Sequence, residues 1–321
     1  MSFKRASSGA VVTFGEAMGL AMSSQVGSIL HERTLGLSFG GAEANVAIGL
    51  SRLGVPTVWI SRLGDDSLGR LIRRELSAEN VSVDARVEAN APTGFMLKER
   101  LSGNRTNVFF YRTGSAASRL TPNDLDAGSI RSAALLHLTG IVPALSVSAR
   151  EATEHAVDLA VESGTPISID LNYRSKLWKP HEAAEVFRSL VPRGDVVFAG
   201  EDEARILFPE IESPEALARA LVELGCKDAI IKQGADGCTA IIDGEVLRVP
   251  AVPVKPVDTV GAGDAFVAGY LSLLVAGASP RQRLERAVLT GAMACLVHGD
   301  WEGSPYLSEI NDLNRIDPVE R

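Results

Sequence analysis

The apolar positions of this chain change period in a regular order. Residues 10–14 form a short apolar run ending at Gly15 and Glu16, the pattern of a buried strand whose end meets a cleft. Residues 17–37 lack a strong period and suit short strands and loop. A glycine pair then opens the stretch SFGGAEANVAIGLSRLG, where Ala44, Val46, Ala47, Leu50 and Leu53 recur at helical spacing until Gly54 stops the helix. Residues 55–60 read as the next strand and 67–80 as the next helix, with Leu68, Leu71, Ile72 and Leu76 on one face. From residue 134 onward strands (134–141, 166–171, 196–199, 229–232) alternate with helices (148–163, 180–190, 201–207, 214–224). Helices over 263–276 and 280–297 end the pattern. Repeated βα units predict an α/β fold, a doubly wound, mostly parallel sheet with helices on both faces and ligands at the carboxyl ends of its strands.

Two extended pairs interrupt this rhythm. Residues 94–101 and 106–112 flank Ser102-Gly103-Asn104-Arg105, and residues 238–242 and 245–249 flank Asp243-Gly244; both are hairpin signals. The first suits a lid or a dimer surface, or else an antiparallel edge of the main sheet. No internal repeat, low-complexity tract or Pro/Ser linker divides the chain. The expectation is one domain over 1–321 with a small β lid drawn from about 17–37 and 90–115.

Composition narrows the partners. With 45% hydrophobic and 22% charged residues in 321, the chain can bury a large core. A formal net charge of −8 argues against nucleic acid or an anionic membrane as the main partner, although a local arginine cluster still permits an anionic substrate. Cys226, Cys238 and Cys295 have neither CxxC nor metal-type spacing and read as free thiols of a reducing compartment. No run approaches the length of a membrane span, and the opening MSFKRASSG leads into a stretch too short and polar for a signal peptide, so a cytoplasmic location is expected.

The chemistry concentrates in VDTVGAGDAFVAGYLSLLVAG, residues 257–277. Gly261, Ala262 and Gly263 form a small-residue turn, Asp264 follows, and Phe266, Val267, Tyr270, Leu271, Leu274 and Val275 mark a buried helix. Unpaired N–H groups at such a helix start make a phosphate cradle. Asp264 then has two readings: a helix cap, or a base taking the proton from a hydroxyl that attacks a bound phosphate. The GxGxxG and GxxxxGK[ST] signatures are both absent.

DTVGAGDAFVAGYL (258–271) resembles the second signature of the PfkB (ribokinase-like) sugar kinases, and GGAEANVAIGLSRLG (40–54) is similar to their first. Within that family GGAEANVA, FYRTGSA, DLNYRSKLW, KQGADG and GDWEGSPY resemble the 2-keto-3-deoxygluconate kinases. The resemblance implies an ATP-dependent kinase using Mg²⁺ and leaves a monovalent cation open; a homo-oligomer is expected, with the lid hairpin able to pair across a dimer. It makes Asp264 the general base and Gly261, Ala262 and Gly263 the anion hole. Gly41, Ala42, Glu43, Ala44 and Asn45 match the sugar-binding turn and helix start, with Asp300 as a further substrate contact. Arg112 and Arg174 match arginines that bind an acid sugar's carboxylate or lie near the phosphates. Asn172, Arg174 and the run Lys232, Gly234, Ala235, Asp236 and Gly237, with Asp264 and the 261–263 turn, fall on the nucleotide side.

Each position also has a plainer reading. Gly40 and Gly41 suit close helix packing, Arg174 a surface ion pair, 232–237 an ordinary hairpin turn, and Trp178 and Trp301 packing. The sequence departs from the family in two places. Gly200 stands where relatives carry an Asn before the acidic Glu203, which weakens Glu203 as the metal contact. Met96 and Phe110 stand in the lid where tyrosines are expected. A neutral-sugar kinase and a non-catalytic sugar- or nucleotide-binding regulator remain the rival readings.

Overall fold

The computed structural model of the protein describes residues 9–23, 25–102 and 105–313. In chain order, β1 (Val11–Phe14) is followed by β2 (Met18–Ser23), β3 (Leu35–Gly40), α1 (Ala42–Arg52), β4 (Thr57–Gly64), α2 (Ser67–Ala78) and β5 (Ser82–Glu88). Then come β6 (Phe95–Ser102), β7 (Arg105–Tyr111), α3 (Ala127–Arg131), β8 (Leu135–Thr139), α4 (Val142–Leu145), α5 (Val147–Ser163) and β9 (Ile167–Asp170). The last part runs through α6 (Pro180–Leu190), β10 (Val196–Gly200), α7 (Glu201–Leu207), α8 (Pro214–Leu224), β11 (Asp228–Lys232) and the hairpin β12 (Cys238–Ile242) and β13 (Glu245–Val249). It closes with α9 (Ala262–Val275), α10 (Pro280–Ala294) and α11 (Leu307–Asp312).

The main sheet has nine strands in the order β13-β12-β11-β10-β9-β8-β1-β4-β5. All its pairings from β11 to β5 are parallel, and β12 and β13 form an antiparallel edge. The central strands are buried on both sides because helices cover both faces. Val12, Phe14, Leu136, Ile169, Ala199 and Ile231 pack with α5, α6 and α8. Val11, Leu135, Phe198 and Ile230 pack on the other side with α1, α9 and α10. Parallel strands end at a common edge, so the residues just past Phe14, Thr139, Asp170, Gly200 and Lys232 line one rim.

The first hairpin is not an edge of the main sheet. It joins a separate four-stranded sheet, β3-β2-β6-β7, in which β2 and β6 run parallel. Ala21 pairs with both Leu37 and Leu97, and Leu97 with Phe109, which puts these side chains on one face. Met96, Lys98, Val108 and Phe110 lie on the other. Gly103 and Asn104 of the expected turn lie outside the described residues.

Other differences are local. β4 continues to Gly64 because β5, absent from the pattern reading, pairs with it throughout. α10 ends at Ala294, three residues before the expected stop. The short α3, α4 and α11 were too brief for periodicity to signal. Trp178 stacks edge-on against Phe187, and Trp301 packs on Phe39, so both serve packing. Among the described residues no helix is long and apolar enough to cross a membrane.

Leu271, fully buried between α9 and the sheet, reports on this core. Leu271→Ala is expected to lower unfolding free energy by about 2–5 kcal/mol in a denaturant titration.

Candidate active site

Helices α1 and α9 both begin at the rim formed by the strand ends. Gly261 caps α9 with φ +75°, and a Cβ there would lie 1.7 Å from the Asp300 carbonyl oxygen, so only glycine fits. Among the described residues no acceptor lies within hydrogen-bond reach of the Gly261, Gly263 and Asp264 N–H groups. These donors, at the positive end of a 14-residue helix, fit a phosphate. The Lys232 Nζ adds a cation, 3.8 Å from where a Gly263 Cβ would stand.

Asp264 sits inside the first turn of α9, not at its cap. It is buried, and its Oδ2 accepts from Asn45 Nδ2 of α1 at 2.7 Å. Burial pushes its carboxyl up to about 7, against the pull of Asn45, Arg174 and Lys232. A carboxylate poised near neutrality beside an anion-binding turn is equipped to accept a proton there.

Glu43, in the first turn of α1, is fully buried and accepts from Thr139 at the end of β8. Burial raises it too, to about 7, and its Oε2 has no hydrogen-bond partner. Ala42 and Ala44 beside it are buried packing residues, and Gly41 caps the helix. Glu16, just past β1, accepts from Ser115 and pairs with Arg112 at 2.5 Å. The Arg112 guanidinium also lies 5.8 Å from the Phe110 ring centroid, which Lys176 approaches from 5.3 Å. Met96 is buried with Met18 and Leu20 in the small sheet's own core. Asp300 forms a buried ion pair with Lys98 of β6.

On the other side, Lys232 at the end of β11 donates to both oxygens of Asp170 at 2.8 Å. Burial works against its charge, but Asp170 and Glu203 outweigh it and hold the ammonium above its ordinary range. Glu203 reaches back to accept from the Gly200 N–H at 2.6 Å, and burial raises it despite Lys232. Among the described residues no group of three or more His, Cys, Asp or Glu side chains is arranged to hold a metal. Glu203 offers one carboxylate at this edge, which suits a cation held by one or two carboxylates together with substrate phosphates. Arg174 is exposed, makes no ion pair among the described residues, and acts on Asp264 and Glu203 through its charge. Asn172 is buried at φ +39°, and Gly234, Ala235 and Asp236 form an exposed turn closed by Gly237.

Asp264, Asn45, Glu43, Arg112, Arg174, Lys232 and Glu203 thus share one network. Met96 instead belongs to a hydrophobic cluster, and Gly234 to Asp236 present only backbone and an exposed carboxylate. Asp170, Thr139 and Lys98 went unsingled in the sequence. Asp170 and Thr139 close strands, the usual place for site residues, whereas nothing local marks Lys98.

Residues 9–306 match the pfkB family carbohydrate kinases. The chain is 36% identical to a 2-dehydro-3-deoxygluconokinase of Bacillus subtilis over 92% of both chains. It is 35% identical to a 2-dehydro-3-deoxygalactonokinase of Haloferax volcanii, over 90% of this chain and 92% of that one. A putative ribokinase II of E. coli, solved in complex with ATP and Mg²⁺, superposes with a TM-score of 0.86 at 26% identity, over 94% of this chain and 98% of that one. The match spans both glycine turns and the strand ends between them, and the chain belongs to the pfkB family of carbohydrate kinases.

Proposed function

We propose that this kinase transfers the γ-phosphoryl group of ATP to the terminal hydroxyl of 2-dehydro-3-deoxygluconate, giving the 6-phosphate. The observation that carries the chemistry is Asp264, buried at the start of α9 beside the free Gly261 and Gly263 N–H groups, while the Ala262 N–H donates to the Thr259 carbonyl. Asp264 accepts the hydroxyl proton, and the turn and Lys232 stabilise charge on the transferring group. Asn45 fixes the direction of the Asp264 carboxylate. Glu203 would hold Mg²⁺ together with the nucleotide phosphates, where the ion would neutralise charge. Arg174 stands free for an anion, and Asn172 and the 232–237 loop border the nucleotide. The acid sugar is supported by the names of the relatives and by the arginines at both ends of the site.

We extend the proposal to the unit that works. The whole chain acts as one kinase domain in the cytoplasm, and the small sheet closes over the sugar and excludes water. The sheet's outer face exposes Leu35, Leu37, Phe109 and Tyr111, which suits pairing with a second copy of the chain. Light scattering is expected to give the mass of an oligomer; a monomer at assay concentration would remove this part.

A neutral-sugar substrate has two observations in its favour: Glu16 already neutralises Arg112, and Met96 and Phe110 bring no hydroxyl. A coupled ADP-release assay over keto acids, ketoses and ribose separates the readings. Run with and without potassium, it also decides monovalent-cation dependence. Arg112→Ala is expected to raise KM for acid sugars by about tenfold or more without affecting fructose turnover. Equal losses on both sugar classes would favour the neutral-sugar reading.

Asp264→Asn is expected to lower kcat about 10²- to 10⁴-fold with ATP and sugar binding retained. Near-normal turnover would sink the mechanism. For the native chain a pH–rate profile is expected to show kcat/KM falling as the pH drops below about 7, where Asp264 takes up a proton. The same shift opposes folding: a carboxyl raised in the folded state loses stability as pH rises through its folded value. Asp264→Asn should therefore raise Tm by about 2–4 °C at pH 8, the gain shrinking as pH falls towards 4.

A further inference from the structure

Lys98 is 2% exposed, an uncommon setting for an ammonium, and its partner Asp300 is 8% exposed. Removing one member of such a pair leaves the other charge buried and uncompensated. Lys98 projects from β6 on the face that carries Met96 and Phe110, neither of which offers a hydrogen bond. Asp300 touches both glycine motifs. A Cβ at Gly40 would lie 2.2 Å from its Oδ2, and one at Gly261 would meet its carbonyl oxygen.

The backbone around Asp300 is clamped. Arg52 donates to the carbonyls of Trp301, Glu302 and Ser304, Trp301 Nε1 donates to Phe39, and Ser38 donates to Glu302 at 2.5 Å. With the backbone fixed, the charge and direction of the Asp300 carboxylate remain to be set. The charged groups facing it are Lys98 from β6, Asp258 from the segment before α9 and Glu302 of its own loop; β3 brings only Ser38 and Gly40. Burial raises Asp300 and both acidic neighbours add to this, while Lys98 alone opposes them.

We propose that Lys98 is a positioning residue for the sugar, holding Asp300 ionised and aimed where the small sheet meets the 261–264 turn, so that Asp300 accepts a hydrogen bond from a sugar hydroxyl. The inference rests on the sugar-kinase reading above. It makes the seating of β6 and the readiness of the anion turn depend on one carboxylate. A cation in the lid thereby takes over orientation that lid hydroxyls would otherwise supply.

The test measures binding of 2-dehydro-3-deoxygluconate by calorimetry without ATP, between about pH 5 and 9, for the native chain and its variants. Lys98→Met is expected to weaken binding about 10- to 100-fold at neutral pH and to move the acid limb of binding to higher pH. The KM for ATP stays as in the native chain. Lys98→Arg keeps the charge and should retain the native acid limb. Asp300→Asn should weaken binding similarly and lose that limb. Unchanged sugar affinity and pH profile in Lys98→Met overturns the proposal; so does equal loss of sugar and ATP affinity with a lowered Tm, which marks a structural strut. Should Lys98→Met fail to fold, Asp300→Asn decides, since native affinity there also overturns it. A native chain that does not phosphorylate this sugar refutes the substrate assignment instead, and the same series is then run with the sugar that the assay panel identifies.

Discussion

One hydrogen bond, from Asn45 to Asp264, joins the starts of the two helices that carry the glycine turns. It forms because a parallel sheet delivers its helix starts to one rim. It matters because Asp264 is buried: a carboxylate there needs a fixed donor to remain usable as a base near neutrality. The 261–263 turn, the Glu43 and Arg112 side of the rim and the Lys232, Asp170 and Glu203 side are arranged around that one oriented group.

The rim is crowded with acids. Glu16, Glu43, Asp170, Glu203, Asp264 and Asp300 are held close to it by Arg112, Thr139, Lys232, Gly200, Asn45 and Lys98 respectively. Burial raises Glu43, Glu203, Asp264 and Asp300 together. The chain's net charge of −8 is therefore compatible with anionic substrates, because the cations that matter are local and directed. Function and stability pull in opposite directions here, since the ionised base that the reaction needs is the state that burial disfavours.

The small sheet links these ends. One face packs Met18, Leu20 and Met96 and sends Lys98 to Asp300, while the other shows apolar side chains to solvent. A two-sided sheet of this kind can cover a site and meet another surface at once. Its strands come from two separated stretches, so its position answers to both the start of α1 and the loop before α11.

Much of this was legible in the residues. Alternation of apolar runs with helical periods predicts a parallel α/β sheet, and the two glycine turns with Asn45 and Asp264 carry the resemblance to the sugar kinases, because both signals are local. The sequence left open whether Asp264 caps its helix, whether the hairpin edges the main sheet, and whether Arg174 is paired. Those depend on neighbours distant along the chain: Asn45 lies 219 residues from Asp264. The pairings of Lys232 with Asp170 and of Lys98 with Asp300 had no local mark either, since they join residues 62 and 202 apart. Periodicity reports which face of an element is buried, whereas the ion pairs of this rim arise only when strand ends and loops are brought to one edge. The sequence by itself determined the fold and singled out Asp264; tertiary structure decided that Asp264 lies inside its helix beside Asn45 and which charges neutralise one another, because burial and distance exist only after folding.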